Sequence, residues 1–300
     1  VNFDGAPTAE FKKWYTKGIC QFVGRAFRRA PAWKVRGMVD QNVLSWKERA
    51  EVSWENKYRM CQPVRESNYR GGAKYERAQP VLDESAWELS GEMTTNHWLP
   101  HMSGSKVVRK DVAIAEAVKS TSPGYPDNLD TRSKGECIEQ EEFDDKYDEY
   151  YDRLGTRDYV PCFWNLADKY ELRSNEKIAA GKIRAFTASN IFHSIANAQL
   201  CHDMNQKFYR SAGKTVSFVG GTKYYGGWNR NVRRLLKHAF GFELDESDFD
   251  ASIFARALYD QCEIRIGMLH PDHRTDENCQ RMRNLYEDVV NSIMITPLGD

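Results

Sequence analysis

No two of the seven cysteines stand in a C-x-x-C pair, so the chain offers neither a redox dithiol nor the paired spacing of a zinc finger. Cys20, Cys61, Cys137, Cys162, Cys201, Cys262 and Cys279 are widely spread, which suits reduced, mostly buried thiols of a cytosolic protein. His270, His273 and Cys279 lack an evident fourth ligand, and Pro271-Asp272 points to a turn rather than a zinc site. Long apolar runs are missing, so no direct membrane insertion is expected. The start, Val1 to Gly5, lacks the charged and apolar regions of a secretory leader. Excess charge of one sign is missing too: 43 basic and 43 acidic side chains cancel. That argues against a uniformly basic nucleic-acid binder, yet permits cations gathered in a channel with acids outside. Gly220, Gly221, Gly226 and Gly227 surround Lys223 and Tyr224 without the strand, G-x-G-x-x-G and helix order of a dinucleotide site.

The 300 residues, 41% of them hydrophobic, can bury a substantial core in one large or two small domains. Residues 11–62 have helix-like spacing and are locally basic, whereas 63–92 read as a long connection or extended arm. Residues 107–118 predict a short helix leading into the turn Ser120–Pro126. The acidic stretch 136–152, punctuated by Ile138, Phe143, Tyr147 and Tyr151, predicts one amphipathic, outward-facing helix. Ile191, Ile195, Ala198, Cys201, Met204 and Phe208 recur at helical spacing, with His193 and His202 read as polar-face or satisfied histidines. A further helix is expected over 251–268. Another carries Met282, Leu285, Tyr286, Val289 and Val290 into a strand at 293–296 and a hairpin turn from Pro297.

Two stretches carry chemistry. Over 240–245 the alternation of Phe240, Phe242 and Leu244 with Gly241, Glu243 and Asp245 has the period of a half-buried strand. Asp245 then emerges at its end, and Asp250 falls just before a helix. Carboxylates fixed there suit a hard divalent cation and phosphoryl chemistry. The same spacing fits a turn former at Asp245 and an N-cap at Asp248 or Asp250. Upstream, Lys169, Arg173, Lys177, Lys182 and Arg184 flank a turn glycine, Gly181. Two basic arms around such a turn would present cations to a polyanion, although charge runs are commonly solvated faces.

The order of residues in 169–184 resembles motif F of the RNA-dependent RNA polymerases of positive-strand RNA viruses, Lys-Asp-Glu-Leu-Arg followed by Lys and Gly-Lys-x-Arg. Tyr170 stands where that motif has an acidic residue. Thr121-Ser122-Pro123-Gly124-Tyr125-Pro126 looks like motif G of picornavirus-like polymerases, and Asp245 to Asp250 looks like motif A. The stretches 184–188, 205–209, 219–228 and 283–286 are similar to potyvirus polymerases, with astroviruses grouped nearby. The resemblance covers about residues 119–300.

It implies an α+β, α-rich right-hand polymerase fold. Residues 1–195 would be fingers, 196–280 the first part of the palm and 281–300 a return to the fingers, without a thumb. It implies template-directed transfer of ribonucleotides to an RNA 3′-hydroxyl for viral replication and transcription, with Mg2+ or Mn2+. Asp245 would be catalytic and hold metal with the Glu246 carbonyl, and Asp250 would read the ribose 2′-hydroxyl. Arg184 and Lys177 would contact the triphosphate, Lys169 and Arg173 would line the entry channel or brace it, Lys182 would bind nucleotide or RNA, and Thr121, Ser122 and Gly124 would stand at the template entrance. Motifs B and C are expected after residue 300, so residues 1–300 alone are expected to be inactive. Implied partners are template and product RNA, ribonucleoside triphosphates, a protein-linked primer and other viral replication proteins. The implied place is the host cytoplasm, in membrane-associated replication complexes reached through partners. The rival reading is an inert RNA-binding or scaffolding module of polymerase-like shape.

Overall fold

The computed structural model describes residues 58–61, 75, 80–159, 161–169, 171–222, 224–238, 240, 244–245 and 249–296. Its first elements are strand β1 (Tyr58–Met60) and helices α1 (Glu84–Met102), α2 (Lys110–Ala115), α3 (Lys134–Ile138) and α4 (Phe143–Leu154). Next come β2 (Phe163–Asp168), β3 (Leu172–Ser174), α5 (Asn175–Ala179), β4 (Ala185–Ser189) and α6 (Ile191–Arg210). The chain continues through α7 (Gly227–Leu235), α8 (Phe249–Ser252), α9 (Ala255–Gly267), α10 (Asp276–Val290) and β5 (Ile293–Ile295). Of the segment 11–62, expected to be helical, Tyr58–Met60 is strand instead and 11–57 and 62 lie outside the described residues, as do 63–79 of the expected arm apart from Tyr75.

The core forms around α6. Asn190 starts the helix by accepting from the backbone N–H groups of Phe192 and His193, satisfying two otherwise orphan donors. Ile191, Ile195, Leu200 and Met204 are fully enclosed by α1, α2, α4 and α10. Tyr147 on α4 is buried and donates to Gln199 Oε1 at 2.7 Å, so its hydroxyl keeps a partner where water cannot reach. Helix α10 begins at Thr275, whose hydroxyl caps Asn278, and Asp276 and Glu277 complement the positive end of the helix. Buried Arg281 lies 4.0 Å over the Tyr151 ring and donates to the Tyr151 carbonyl and to Glu277 and Asn278.

The predicted acidic helix is two helices. Cys137 and Phe143 both point into the core, yet six residues would put them about 120° apart on one continuous helix, and the chain turns between them instead. Phe143, Tyr147 and Leu154 then share one face, leaving the acids outside. Residues 84–92, read as connection, are helical: Asp83 accepts from the Ala86 N–H and Glu84 occupies the first turn. The helix expected over 251–268 breaks at Ile253-Phe254. Phe254 is extended, and its ring lies 5.2 Å from that of Trp87. The domain boundary expected at residue 195 falls inside α6.

Strand β2 is the centre of a three-stranded sheet, antiparallel to β4 (Trp164 opposite Ser189, Asp168 opposite Ala185) and parallel to β5 (Phe163 opposite Ile293). Strand β3 pairs instead with β1, Arg59 opposite Arg173. The turn expected from Pro297 lies outside the described residues.

Candidate active site

The basic segment is not simply two arms around the Gly181 turn. Its outer ends belong to β2 and β4, closed by the Lys169 N–H donating to the Arg184 carbonyl at 2.7 Å. Between them the chain detours through β3 and α5 and returns at Gly181, whose φ of +65° suits a residue without Cβ. Glu171 ties the detour together. It accepts from Arg173 Nε at 2.8 Å and Arg184 Nε at 2.7 Å, and its second oxygen takes a close contact from Arg184 Nη2. Arg173 also donates to the Lys182 carbonyl at 2.6 Å. Arg184, then Arg173, holds the Glu171 carboxyl down at about 2.

Arg173 is therefore a brace, and Arg184 is exposed with one edge of its guanidinium held by Glu171. Lys169, Lys177 and Lys182 are exposed and form no ion pair with the described residues, leaving three ammonium groups open to a polyanion.

The Ser120–Pro126 turn packs on the junction of β4 and α6. Gly124 has φ +85°, and a Cβ there would lie 2.7 Å from both the Asn190 Cα and the Ser189 carbonyl oxygen. Only glycine lets the two backbones approach so closely. The loop is closed by the Lys134 N–H on the Thr121 carbonyl at 2.7 Å and the Asn128 N–H on the Gly124 carbonyl at 2.8 Å. Thr121 and Ser122 are exposed beside it. The candidate entrance loop is thus fixed to the element that follows the basic segment.

Asp245 is exposed and makes no hydrogen bond or ion pair with the described residues. It belongs to no cluster of three metal-type ligands among them. Phe240 and Leu244 are 94% and 81% exposed, so the described part of that stretch forms neither a strand nor a half-buried face. Glu246 lies outside the described residues. Asp250 sits in the first turn of α8 and accepts from Tyr75 Oη at 3.1 Å. Burial and Asp250 push the Tyr75 hydroxyl up to about 12, keeping it a donor. His270 and His273 pack edge to face at the turn Pro271–His273. Sequence reasoning missed Glu171 as the hub of the basic segment and Tyr75 as the partner of Asp250. The first lay inside the recognised motif but is acidic, and the second is 175 positions away.

A right-hand polymerase, its fingers and palm in part, is the class this arrangement defines. The fold is similar to that of the Sicinivirus 3Dpol RNA-dependent RNA polymerase, with a TM-score of 0.55 at 20% identity. The alignment covers 69% of this chain and 45% of that polymerase. The chain belongs to the viral RNA-dependent RNA polymerase family, whose family model matches residues 56–300. Residues of this chain are 37% identical over 136 positions to the genome polyprotein of Bean yellow mosaic virus. They are 33% identical over 134 positions to that of Lettuce mosaic virus (strain 0 / isolate French). Each match takes in 45% of this chain and spans 4% of the polyprotein.

Proposed function

We propose that this chain supplies the fingers and the first part of the palm of an enzyme that copies RNA from an RNA template. The observation that carries the reading is the basic detour between β2 and β4. Glu171 fixes its two arginines in place, while Lys169, Lys177 and Lys182 stay exposed to receive phosphates. The Gly124 loop, fixed against the same sheet, supports a guide for the template strand. Pairing of β5 with β2 supports assigning 281–300 to the fingers, with 1–195 before them and 196–280 as palm.

Asp245 fits a hard divalent cation: it is an exposed carboxylate with no described protein cation competing for it. Mg2+ or Mn2+ held there, with the Glu246 carbonyl, would stabilise charge on the transferring phosphate. The protein's own part is binding and orientation. Arg184 and Lys177 would grip the triphosphate, Lys169, Arg173 and Lys182 would shape the channel, and Asp250, oriented by Tyr75, would accept from the ribose 2′-hydroxyl. A protein-linked primer and anchorage to cytoplasmic replication complexes through other viral proteins belong to the same proposal. No helix among the described residues is long and apolar enough to cross a membrane.

The test is incorporation of labelled ribonucleotides on an RNA template by a longer polymerase chain containing these residues, beside its Asp245→Ala form and residues 1–300 alone. Synthesis lost with Asp245, and absent from the 300 residues, is expected. RNA binding without synthesis in every form would instead mark an inert module.

A further inference from the structure

Three stretches of chain bring ligand-type atoms to one buried point. Cys162 lies just before β2, His193 in the first turn of α6 and Asp288 in the last turn of α10. The Cys162 Sγ, the His193 ring nitrogen and an Asp288 oxygen all lie within 4.8 Å of one another. Asp288 is 0% exposed and His193 6%. The carboxylate accepts from Tyr159 Oη at 2.7 Å and the Cys162 N–H at 3.1 Å, and contacts Cys162 Sγ at 3.4 Å and His193 Nδ1 at 2.9 Å. No lysine or arginine among the described residues pairs with it. A carboxylate taken wholly out of water without a fixed cation is costly.

We propose that Cys162, His193 and Asp288 bind a zinc ion with three protein ligands, separate from the Asp245 site. The donor set selects the metal. Magnesium takes oxygen alone, whereas a thiolate and an imidazole beside one carboxylate suit zinc. A dication with one thiolate and one carboxylate also leaves the buried cluster formally neutral. Zinc–ligand bonds of about 2.0–2.3 Å in a tetrahedron separate neighbouring ligands by roughly 3.3–3.7 Å. The sulfur-to-carboxylate distance of 3.4 Å already fits, and the imidazole-to-carboxylate distance of 2.9 Å would open by about half an ångström on that geometry. Binding releases the Cys162 thiol proton to solvent, while His193 ligates through Nδ1 and carries its proton on Nε2. Tyr159 stays hydrogen-bonded to the carboxylate as an orienting partner. Water completes the fourth position. The ion would fasten the start of β2 to α6 and α10 at once.

The test uses the 300-residue chain stripped with chelator, then supplied with zinc or with cobalt(II) as a spectroscopic probe. About one ion per chain is expected, with a thiolate-to-cobalt charge-transfer band and protection of Cys162 from iodoacetamide by zinc in peptide mass mapping. Cys162→Ser, which keeps a hydroxyl donor for Asp288, should abolish the band and weaken zinc binding at least ~10-fold. Substoichiometric binding, or alkylation of Cys162 at the same rate with and without zinc, would overturn the proposal in favour of a metal-free hydrogen-bonded hub. A band that survives Cys162→Ser would overturn it by placing the ion elsewhere. Protection is read on the unmutated chain, so it decides the matter even if the variant does not fold, and neither readout requires polymerase activity.

Discussion

Replacing Glu171 with glutamine keeps the shape of the hub and removes its charge. The carboxyl falls from 4.5 to about 2 in the folded chain, Arg184 being the first cause and Arg173 the next protein charge. For groups held away from water that fall would correspond to about 3 kcal/mol. The Arg184 side chain is 56% exposed, however, against 17% for Glu171, and solvent screening reduces the contribution to about 1–2 kcal/mol. Because the folded value lies below the unfolded one, this stability is fully present above about pH 4.5 and is lost as pH falls toward about 2. Urea unfolding followed by tryptophan fluorescence should show Glu171→Gln less stable by about 1–2 kcal/mol at pH 7. Linkage narrows the gap to less than about half at pH 3. Equal stability at pH 7, or a gap that does not narrow in acid, would refute the argument that two arginines depend on this carboxylate.

Three further outcomes follow from geometry already described. Gly124→Ala introduces a Cβ at 2.7 Å from backbone on two sides, at positive φ, and should destabilise by about 2–4 kcal/mol in thermal or urea unfolding. Lys177→Ala with Lys182→Ala should leave the melting temperature within a degree or two of the original, since neither side chain has a described ion-pair partner. Their loss should weaken RNA binding and reduce the salt dependence of log K by about one to two, read from filter binding across a salt series. Arg281→Ala strips a buried cation from over Tyr151 and leaves the Tyr151 carbonyl without that donor, and should cost about 3 kcal/mol in chemical denaturation.

Long-range convergence divides what the sequence made legible from what it did not. Helix α6 was readable because its apolar residues repeat at the helical period. Helix α10 and strand β5 followed for similar local reasons. The basic segment and the Gly124 loop were legible through the order of residues that resembles the polymerase motifs, since their composition alone also fits a solvated face and an ordinary turn. Glu171 was not legible as a hub, because its role depends on Arg184 returning to it thirteen positions later. Cys162, His193 and Asp288 are individually ordinary, and only the fold brings residues 126 positions apart to one point. The break in the acidic stretch was in principle readable, as Cys137 and Phe143 cannot share a helical face. The sheet pairing was not: β3 chooses β1 over its neighbour in the chain, a choice that alternation alone cannot specify.

Strand β2 waits for its second neighbour. Its partner β4 is made within about twenty residues, but β5 begins about 125 residues after β2 ends. At a synthesis rate of about 5–20 residues per second, that delay is roughly 6–25 s, during which the edge of β2 that β5 takes is without that partner. An unpaired edge of that kind invites pairing with another chain. On the ribosome, therefore, the three-stranded sheet is completed only after α9 and α10 have emerged, and the open edge of β2 stays exposed to aggregation until they arrive.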